Sequence, residues 1–291
     1  MLTRRELIGA GLLFTPLGDK PHGRIIDSHV HVWSRNPAYP FTVGATVPKI
    51  DASAETLLRL MDERQIIRTV LIQVIHYKWD NRYLIDTLRR YSRRFTGVCR
   101  VNPEDPAAPD HLSELTEAGC CGVRISPAAD ESGDWIRGSL MKPLWKRCSE
   151  LKVPMTLLLP VSRLVDVTPL IELHPELKVV IDHMADCPVD DPVKLLQLSR
   201  LARYPNVFVK ISHMWSLSKQ QYPYLDAGQM VARVRDAFGA KRLMWGTDWP
   251  IKPELLSYGM RVDLYSKGID FLSATEREEI LYKTAERVWP D

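Results

Sequence analysis

Short apolar runs rich in β-branched residues alternate with longer amphipathic runs along this chain. The short runs are typical of buried strands, and the longer runs have the three- and four-residue apolar spacing of helices. Proline, glycine, aspartate and asparagine separate the two kinds of segment and indicate turns. The pattern predicts eight strands, at Ile25–Val32, Arg68–Val74, Phe95–Arg100, Gly122–Ile125, Pro154–Leu159, Lys178–Ile181, Val207–Ile211 and Arg242–Trp245.

A helix is predicted beside each strand, and several helices begin at a capping residue or at proline. Their ranges are Ala54–Arg64, Asn81–Tyr91, Ala108–Ala118, Ser139–Glu150, Val165–His174, Val193–Tyr204, Gly228–Phe238 and Thr275–Val288. Nearly continuous apolar strands that alternate with helices are typical of a parallel sheet covered by helices. Eight such units favour an α/β fold with a single (β/α)8 TIM barrel over an open doubly wound sheet, which usually has fewer strands. The longest loop, Met214–Tyr224, is predicted to lie over the barrel mouth.

Composition supports one globular domain, because 291 residues lie within the size range of single α/β barrels. The 39 basic and 36 acidic residues are spread along the chain without the basic stripe of a nucleic-acid-binding protein. Neither a nucleic-acid nor a membrane partner is therefore expected, and the charge says little else about partners. The five cysteines lack C-x-x-C spacing and are interpreted as buried apolar residues rather than as a disulfide framework.

The first 23 residues are predicted to be a leader. The run Thr3-Arg4-Arg5-Glu6-Leu7-Ile8 precedes the apolar stretch Gly9–Leu17, and this order is typical of a twin-arginine export signal. The apolar stretch is too short to span a bilayer as a stable helix. Export to the periplasm is one expectation, and a disordered or docked leader on a cytoplasmic protein is the other. In both cases the barrel is expected to occupy residues 24–291.

Two histidines end the first predicted strand, in the run Asp27-Ser28-His29-Val30-His31. Alternate residues of a strand share a face, so Asp27, His29 and His31 are predicted to point to one side. In a barrel, that side is the interior at the C-terminal rim, where catalytic groups gather. The histidine pair predicts a metal-binding or charge-stabilising site, although two histidines hydrogen-bonded within a core would give the same motif.

Polar residues also end two later apolar strands. His183 follows strand six, and Asp248 follows strand eight. A buried imidazole or carboxylate needs a partner or a metal, so such placements on one rim indicate a site. The alternatives are a capping or supporting role for His183 and an N-cap role for Asp248.

These motifs together resemble the amidohydrolase-related (amidohydrolase 2) TIM-barrel family. The resemblance is to its lactonase branch, which includes 2-pyrone-4,6-dicarboxylate lactonase, fuconolactonase and rhamnonolactonase. It covers Ile25 to Trp289 and implies a metal-dependent-hydrolase-like barrel whose partner is a small-molecule substrate, a lactone opened at its ester bond. The catalytic residues that it implies are His29, His31, His183 and Asp248. It rests on the runs 27–31, 80–83, 95–98, 122–124, 182–183, 209–212, 242–250 and 283–287.

One ligand position of the metal-dependent relatives is missing. The strand-five run Met155-Thr156-Leu157-Leu158-Leu159-Pro160 contains neither histidine nor lysine, so a bridged two-metal centre is not expected. Two alternatives remain open. One divalent metal, Zn²⁺ or Mn²⁺, could be held by His29, His31 and Asp248, because imidazole and carboxylate suit such ions. The enzyme could also be metal-independent.

The resemblance also implies cations near the rim that bind a carboxylate or the hydroxyl groups of the lactone. Arg124 is the main candidate, because a guanidinium can bind a carboxylate in bidentate fashion, and an ion pair is the alternative. The weaker candidates are His76, Arg100, Lys210 and His213, and the branch commonly has glycine at the position of His213. Some of the loop aromatics are predicted to form an apolar lid, the set being Trp33, Tyr77, Trp79, Trp215, Tyr222 and Trp249.

The expected mechanism assigns Asp248 the role of base. Asp248 takes a proton from water, the resulting hydroxide attacks the ester carbonyl, and Asp248 returns the proton to the leaving alkoxide. A non-oxidative decarboxylase of the same superfamily is the second hypothesis, although such relatives usually keep the strand-five ligand. A barrel that binds a ligand without catalysis is the third.

Overall fold

Eight parallel strands form one sheet in chain order in the computed structural model, which describes residues 24–126 and 134–290. Hydrogen bonds from Ser28 N to Trp245 O and from His31 N to Trp249 O join the first strand to the end of the last. The sheet therefore closes on itself, which confirms the (β/α)8 barrel. The strands are β1 Ile25–Val30, β2 Ile66–Ile72, β3 Phe95–Cys99, β4 Cys120–Ile125, β5 Met155–Leu157, β6 Val179–Ile181, β7 Val207–Lys210 and β8 Leu243–Met244.

Amphipathic helices bury one face against the outside of this sheet. The first of them buries Ala54, Leu57 and Met61, and it begins after Ser53, whose side chain accepts a hydrogen bond from Thr56 N. The helices are α1 Ala54–Glu63, α2 Arg82–Arg90, α3 Ala108–Glu117, α4 Met141–Leu151, α5 Leu164–Leu173, α6 Pro192–Ser199, α7 Met214–Leu217, α8 Leu225–Phe238, α9 Tyr258–Asp263, α10 Ala274–Glu278 and α11 Thr284–Val288.

Three helical segments differ from the sequence-based prediction. The short helix α7 lies inside the segment that was predicted as a loop, and α9 was not predicted. The predicted helix Thr275–Val288 is divided by a π-helical turn, Glu279–Lys283, into α10 and α11. Short or irregular helices carry too few periodic positions to be recognised from the apolar pattern.

The end of the chain closes the lower end of the barrel. Trp289 and Val288 belong to the same buried cluster as the lumen-facing strand residues Ile26, Val98 and Val180. A Cβ on Gly122 would lie 2.9 Å from Trp289 Nε1, so the close approach of this indole requires glycine there. The site described below therefore lies above a filled apolar lumen rather than an open channel.

A bulge in β1 changes the predicted orientation of one residue. The pairing of β1 with β2 shifts register between Asp27 and Val30. The Asp27 carboxylate accepts hydrogen bonds from Thr247 N at 2.8 Å, Thr247 Oγ1 at 2.6 Å and Tyr258 OH at 3.2 Å. The prediction that Asp27 shares one side with the two histidines is therefore wrong, because the extra residue breaks the strict alternation. Asp27 instead fixes the segment that follows β8.

Several predictions concern other parts of the chain. The predicted twin-arginine leader, residues 1–23, lies outside the described residues and stays a prediction. In the described part of the chain, no helix has the length and apolarity that a membrane crossing needs. Four of the five free cysteines are buried as predicted, whereas Cys121 is exposed.

Candidate active site

A buried carboxylate that the sequence-based site did not include lies at the centre of the barrel. Asp182, directly after β6, accepts a hydrogen bond from Arg124 Nε of β4 at 2.9 Å and lies 3.1 Å from Lys210 Nζ of β7. Burial alone would raise the pKa of Asp182, but Lys210, His29 and Arg124 hold it well below its usual value. Arg124, Asp182 and Lys210 together are called the ionic layer below.

The ionic layer accounts for two residues that were predicted to bind substrate. Arg124 and Lys210 are buried and pair with Asp182, and Lys210 Nζ also lies 5.2 Å from the centroid of the Trp289 ring beneath it. The ion pair considered as the alternative for Arg124 is therefore present. Direct contact of either cation with a substrate stays a prediction.

The two histidines of β1 lie above the ionic layer. His29 Nδ1 is 3.1 Å from Lys210 Nζ and 3.3 Å from Asp182 Oδ1, so the ionic layer orients this ring. His31 Nδ1 lies 2.8 Å from Ile72 O, a contact that requires the proton on Nδ1 and leaves a lone pair on Nε2. Burial, with Lys210 adding to it, lowers the pKa of His29 to about 3, so this imidazole is neutral.

Asp248 joins the histidine pair from the end of β8. Its Oδ1 atom lies 3.6 Å from His29 Nε2 and 3.5 Å from His31 Nε2, and these two nitrogens are 3.3 Å apart. Ligand atoms at bond lengths of about 2.0–2.2 Å around a tetrahedral ion are separated by about 3.3–3.6 Å. The set His29, His31 and Asp248 therefore has the spacing of ligands to a divalent cation, one of the two alternatives that the sequence left open.

The site residues that follow β6, β7 and β8 have left-handed backbone conformations. The φ angles are 52° at His183, 69° at His213 and 54° at Asp248. Non-glycine residues adopt this conformation at a cost of about 1–2 kcal/mol each, and it persists only where the surroundings hold it. Around Asp248, the backbone N–H donates to His29 O at 2.8 Å, and the Arg261 guanidinium of α9 donates to Thr247 O at 2.9 Å.

His213 is the one weak substrate candidate that the structure brings to the Asp248 carboxylate. Its Nδ1 atom lies 3.4 Å from Asp248 Oδ2, and its ring centroid lies 4.5 Å from that of His183. His183 Nδ1 is in turn 2.8 Å from Ser212 Oγ. The structure thus brings together all four predicted catalytic residues and adds His213 to them.

The other two weak candidates, His76 and Arg100, contact aromatic residues. His76 is half-buried and packs against Trp33, with ring centroids 5.6 Å apart. Arg100 lies over the Trp79 ring, 5.0 Å from its centroid, in a pocket that it shares with Glu114 of α3.

The predicted aromatic lid is only partly supported by packing. Trp215 packs on His213, with centroids 4.1 Å apart, and Trp33 packs on His76. Tyr77 is instead buried, and its hydroxyl donates to Ser34 O at 3.1 Å. A lid formed by some of the six aromatic residues therefore stays a prediction.

Comparison with known proteins gives a consistent result. The family model Amidohydro_2, described as "Amidohydrolase", matches residues 26–290. The L-fucono-1,5-lactonase of Burkholderia ambifaria is 29% identical over 234 residues, which are 78% of this chain and 80% of that protein. The 2-pyrone-4,6-dicarboxylate hydrolase of Comamonas testosteroni is 26% identical over 82% of this chain and 81% of its own length. The structure of a proposed 2-pyrone-4,6-dicarboxylic acid hydrolase from Pseudomonas putida superposes with a TM-score of 0.77 at 27% identity, covering 91% of this chain and 97% of that one.

Proposed function

Because this chain belongs to the amidohydrolase family, we propose that it is a hydrolase that opens a lactone of a sugar acid or a carboxylated lactone. The observation that carries the proposal is the placement of Asp248 beside His29 and His31, in a barrel whose relatives include two lactone hydrolases. In TIM barrels the reaction takes place at this end of the strands. Other ester bonds are less favoured, because the named relatives act on cyclic esters.

Asp248 is the group that exchanges a proton with water. Burial alone would raise its pKa, but His213, with the other three imidazoles, holds the pKa of Asp248 well below its usual value. The carboxylate is therefore ionised and accepts a proton from the attacking water. The hydroxide forms a bond to the lactone carbonyl carbon, and the carbonyl oxygen becomes an oxyanion. Collapse of this intermediate breaks the ring C–O bond, and Asp248 returns the proton to the alkoxide.

The lactone ring suits a site with a single acid–base residue. The leaving alkoxide remains attached to the product, so it stays near the protonated Asp248. In metal-independent catalysis, His183 Nδ1 would accept a hydrogen bond from the Ser212 hydroxyl, and the proton on Nε2 could be donated to the oxyanion. A divalent cation bound by His29, His31 and Asp248 would supply further charge stabilisation and lower the pKa of water. Catalysis with one such cation and metal-independent catalysis are both compatible with these residues.

The test is acid release from a panel of sugar lactones and carboxylated lactones, with chelated enzyme in parallel. The Asp248→Asn variant is expected to keep its circular dichroism spectrum and to lose about 10²–10⁴-fold in turnover, the usual contribution of a general base. Exposed Asp236→Asn, on the far end of α8, is the matched control and should keep full activity. Undiminished turnover by Asp248→Asn would refute the role of Asp248, and no acid release across the panel would refute the lactone assignment.

A further inference from the structure

The histidine that follows β7 points to a second cation site beside the predicted one. We propose that His183, His213 and Asp248 bind a divalent cation of the Zn²⁺ or Mn²⁺ class, so that the Asp248 carboxylate bridges two cations. The inference deepens the proposed function at the same site, but it rests on ligand geometry and not on the identity of the lactone.

The two oxygens of Asp248 face different histidines. Oδ1 lies 3.5 Å from His31 Nε2 and 3.6 Å from His29 Nε2, whereas Oδ2 lies 3.4 Å from His213 Nδ1. A ring nitrogen of His183 completes the second set, whose ligand atoms all lie within 4.8 Å of one another. The distance from Oδ2 to His213 Nδ1 matches the spacing of about 3.3–3.6 Å between ligands of a tetrahedral ion. One carboxylate therefore serves two separate groups of ligands.

Unsatisfied polar atoms provide an independent observation. Asp248 Oδ2 and His213 Nδ1 are both buried, and neither has a hydrogen-bond partner within residues 24–126 and 134–290. A buried polar atom without a partner costs about 1–3 kcal/mol, and more when the group is charged. The Asp248 side chain is only 2% exposed, so bulk water does not relieve this cost. A cation between the two atoms would satisfy both of them.

His183 is already oriented in the manner of a metal ligand. Ser212 Oγ lies 2.8 Å from its Nδ1, and in the tautomer in which Nδ1 donates to this oxygen, the lone pair on Nε2 is left for a cation. Metal-binding histidines usually have their second ring nitrogen held by such a partner. The left-handed φ angles of His183 and His213 direct both rings toward Asp248 from the ends of β6 and β7.

His213 also answers the objection that the sequence raised against two metals. That expectation rested on strand five, which has no histidine or lysine between Met155 and Pro160. The structure instead supplies a fourth imidazole from His213, in the segment that follows β7. Four imidazoles and one shared carboxylate are donors that suit two borderline ions such as Zn²⁺.

Metal counting tests the inference directly. Metal-free full-length protein is equilibrated with Zn²⁺, and the bound metal per chain is measured by mass spectrometry after dialysis. The wild-type protein is expected to bind two Zn²⁺ ions per chain, and the His213→Gly variant is expected to bind one. Glycine is chosen because it adopts a φ of 69° without strain, so the variant should fold. His213→Asn, whose side chain also tolerates this conformation, is the second variant and should also bind one ion. Exposed His111→Ala, on α3, is the matched control and should bind two.

Two results would overturn the inference: one ion or none on wild type, or unchanged stoichiometry in both His213 variants. The count does not depend on turnover. Two ions without acid release from any lactone would leave the second site intact and refute the proposed function. Lactone hydrolysis by a protein that binds a single ion would support the proposed function and refute the second site.

Discussion

Replacing Asp182 with asparagine is expected to destabilise the barrel by about 3–5 kcal/mol, the usual loss when one partner of a buried ion pair is removed. The amide would leave Arg124 and Lys210 buried without their shared anion. The side chains of Asp182 and Lys210 are fully buried, and that of Arg124 is 3% exposed, so water cannot replace the carboxylate. The expected loss of stability comes from the lost charge and not from a change in volume, because asparagine and aspartate are nearly isosteric.

An exposed ion pair provides the matched comparison. Asp62 lies 2.8 Å from Arg94, and its side chain is 65% exposed. Exposed pairs contribute only about 0.2–1 kcal/mol because water screens them. Asp62→Asn should therefore lower the unfolding free energy much less than Asp182→Asn does. For a domain of this size a loss of 1 kcal/mol lowers the melting temperature by about 2–4 °C, so Asp182→Asn should lower it by roughly 6–20 °C.

Urea denaturation followed by circular dichroism measures both variants. A third variant, Lys210→Met, and the double variant with Asp182→Asn complete a thermodynamic cycle. The double variant should be less destabilised than the sum of the two single variants by at least about 0.5 kcal/mol, because it removes one anion together with one cation. A loss in Asp182→Asn no larger than that in Asp62→Asn would refute the ionic layer as an energetically coupled unit.

Two further predictions concern the closure of the barrel and its alkaline stability. A Cβ on Gly246 would lie 2.6 Å from His29 Cβ and 2.7 Å from His29 N, so Gly246→Ala must displace β1. We expect turnover to fall by about 10²-fold, as for a displacement of about 1 Å at a reacting group, whereas Gly228→Ala, with open space around its Cβ, should keep wild-type turnover. Burial raises the pKa of Tyr83 from 10.0 to about 12, so between these pH values the unfolded chain releases a proton that the folded chain retains, and stability falls as the pH rises. From pH 10 to 12, the unfolding free energy measured by urea denaturation should fall less in the Tyr83→Phe variant than in wild type. An equal fall in both proteins would contradict the assignment of this loss to Tyr83.

The barrel and the centre of the site could be predicted because both follow from periodicity. Apolar runs of strand length alternate with amphipathic helices, and parallel strands in a closed barrel bring their C-terminal ends to one rim. His29, His31, His183 and Asp248 each follow or end such a run, so their meeting was predictable without any knowledge of their contacts.

The ionic layer could not be predicted in the same way. Asp182 and Arg124 are 58 residues apart, and β6, which Asp182 follows, is not a neighbour of β4 in the sheet. Their pairing depends on which residues face the lumen at the same height, and a bulge of one residue is enough to reverse that orientation, as Asp27 shows. A charged residue after an apolar strand therefore indicates an interior site, but the sequence does not say whether it contacts substrate or another side chain.

Backbone conformation explains why His213 was underestimated. A residue with φ of 69° is usually glycine, asparagine or aspartate, so a histidine gives no local signal that the chain turns there. His183 and Asp248 share this conformation, and the three residues follow consecutive strands. The strain totals about 3–6 kcal/mol at about 1–2 kcal/mol for each residue, a large part of the stability of an ordinary domain. Such strain is maintained only if the closed sheet and the filled lumen beneath it hold the strand ends rigidly. Relieving it with glycine would free the backbone, but it would also remove the side chains that converge on one carboxylate. The barrel therefore stabilises a site that its local sequence alone would not adopt.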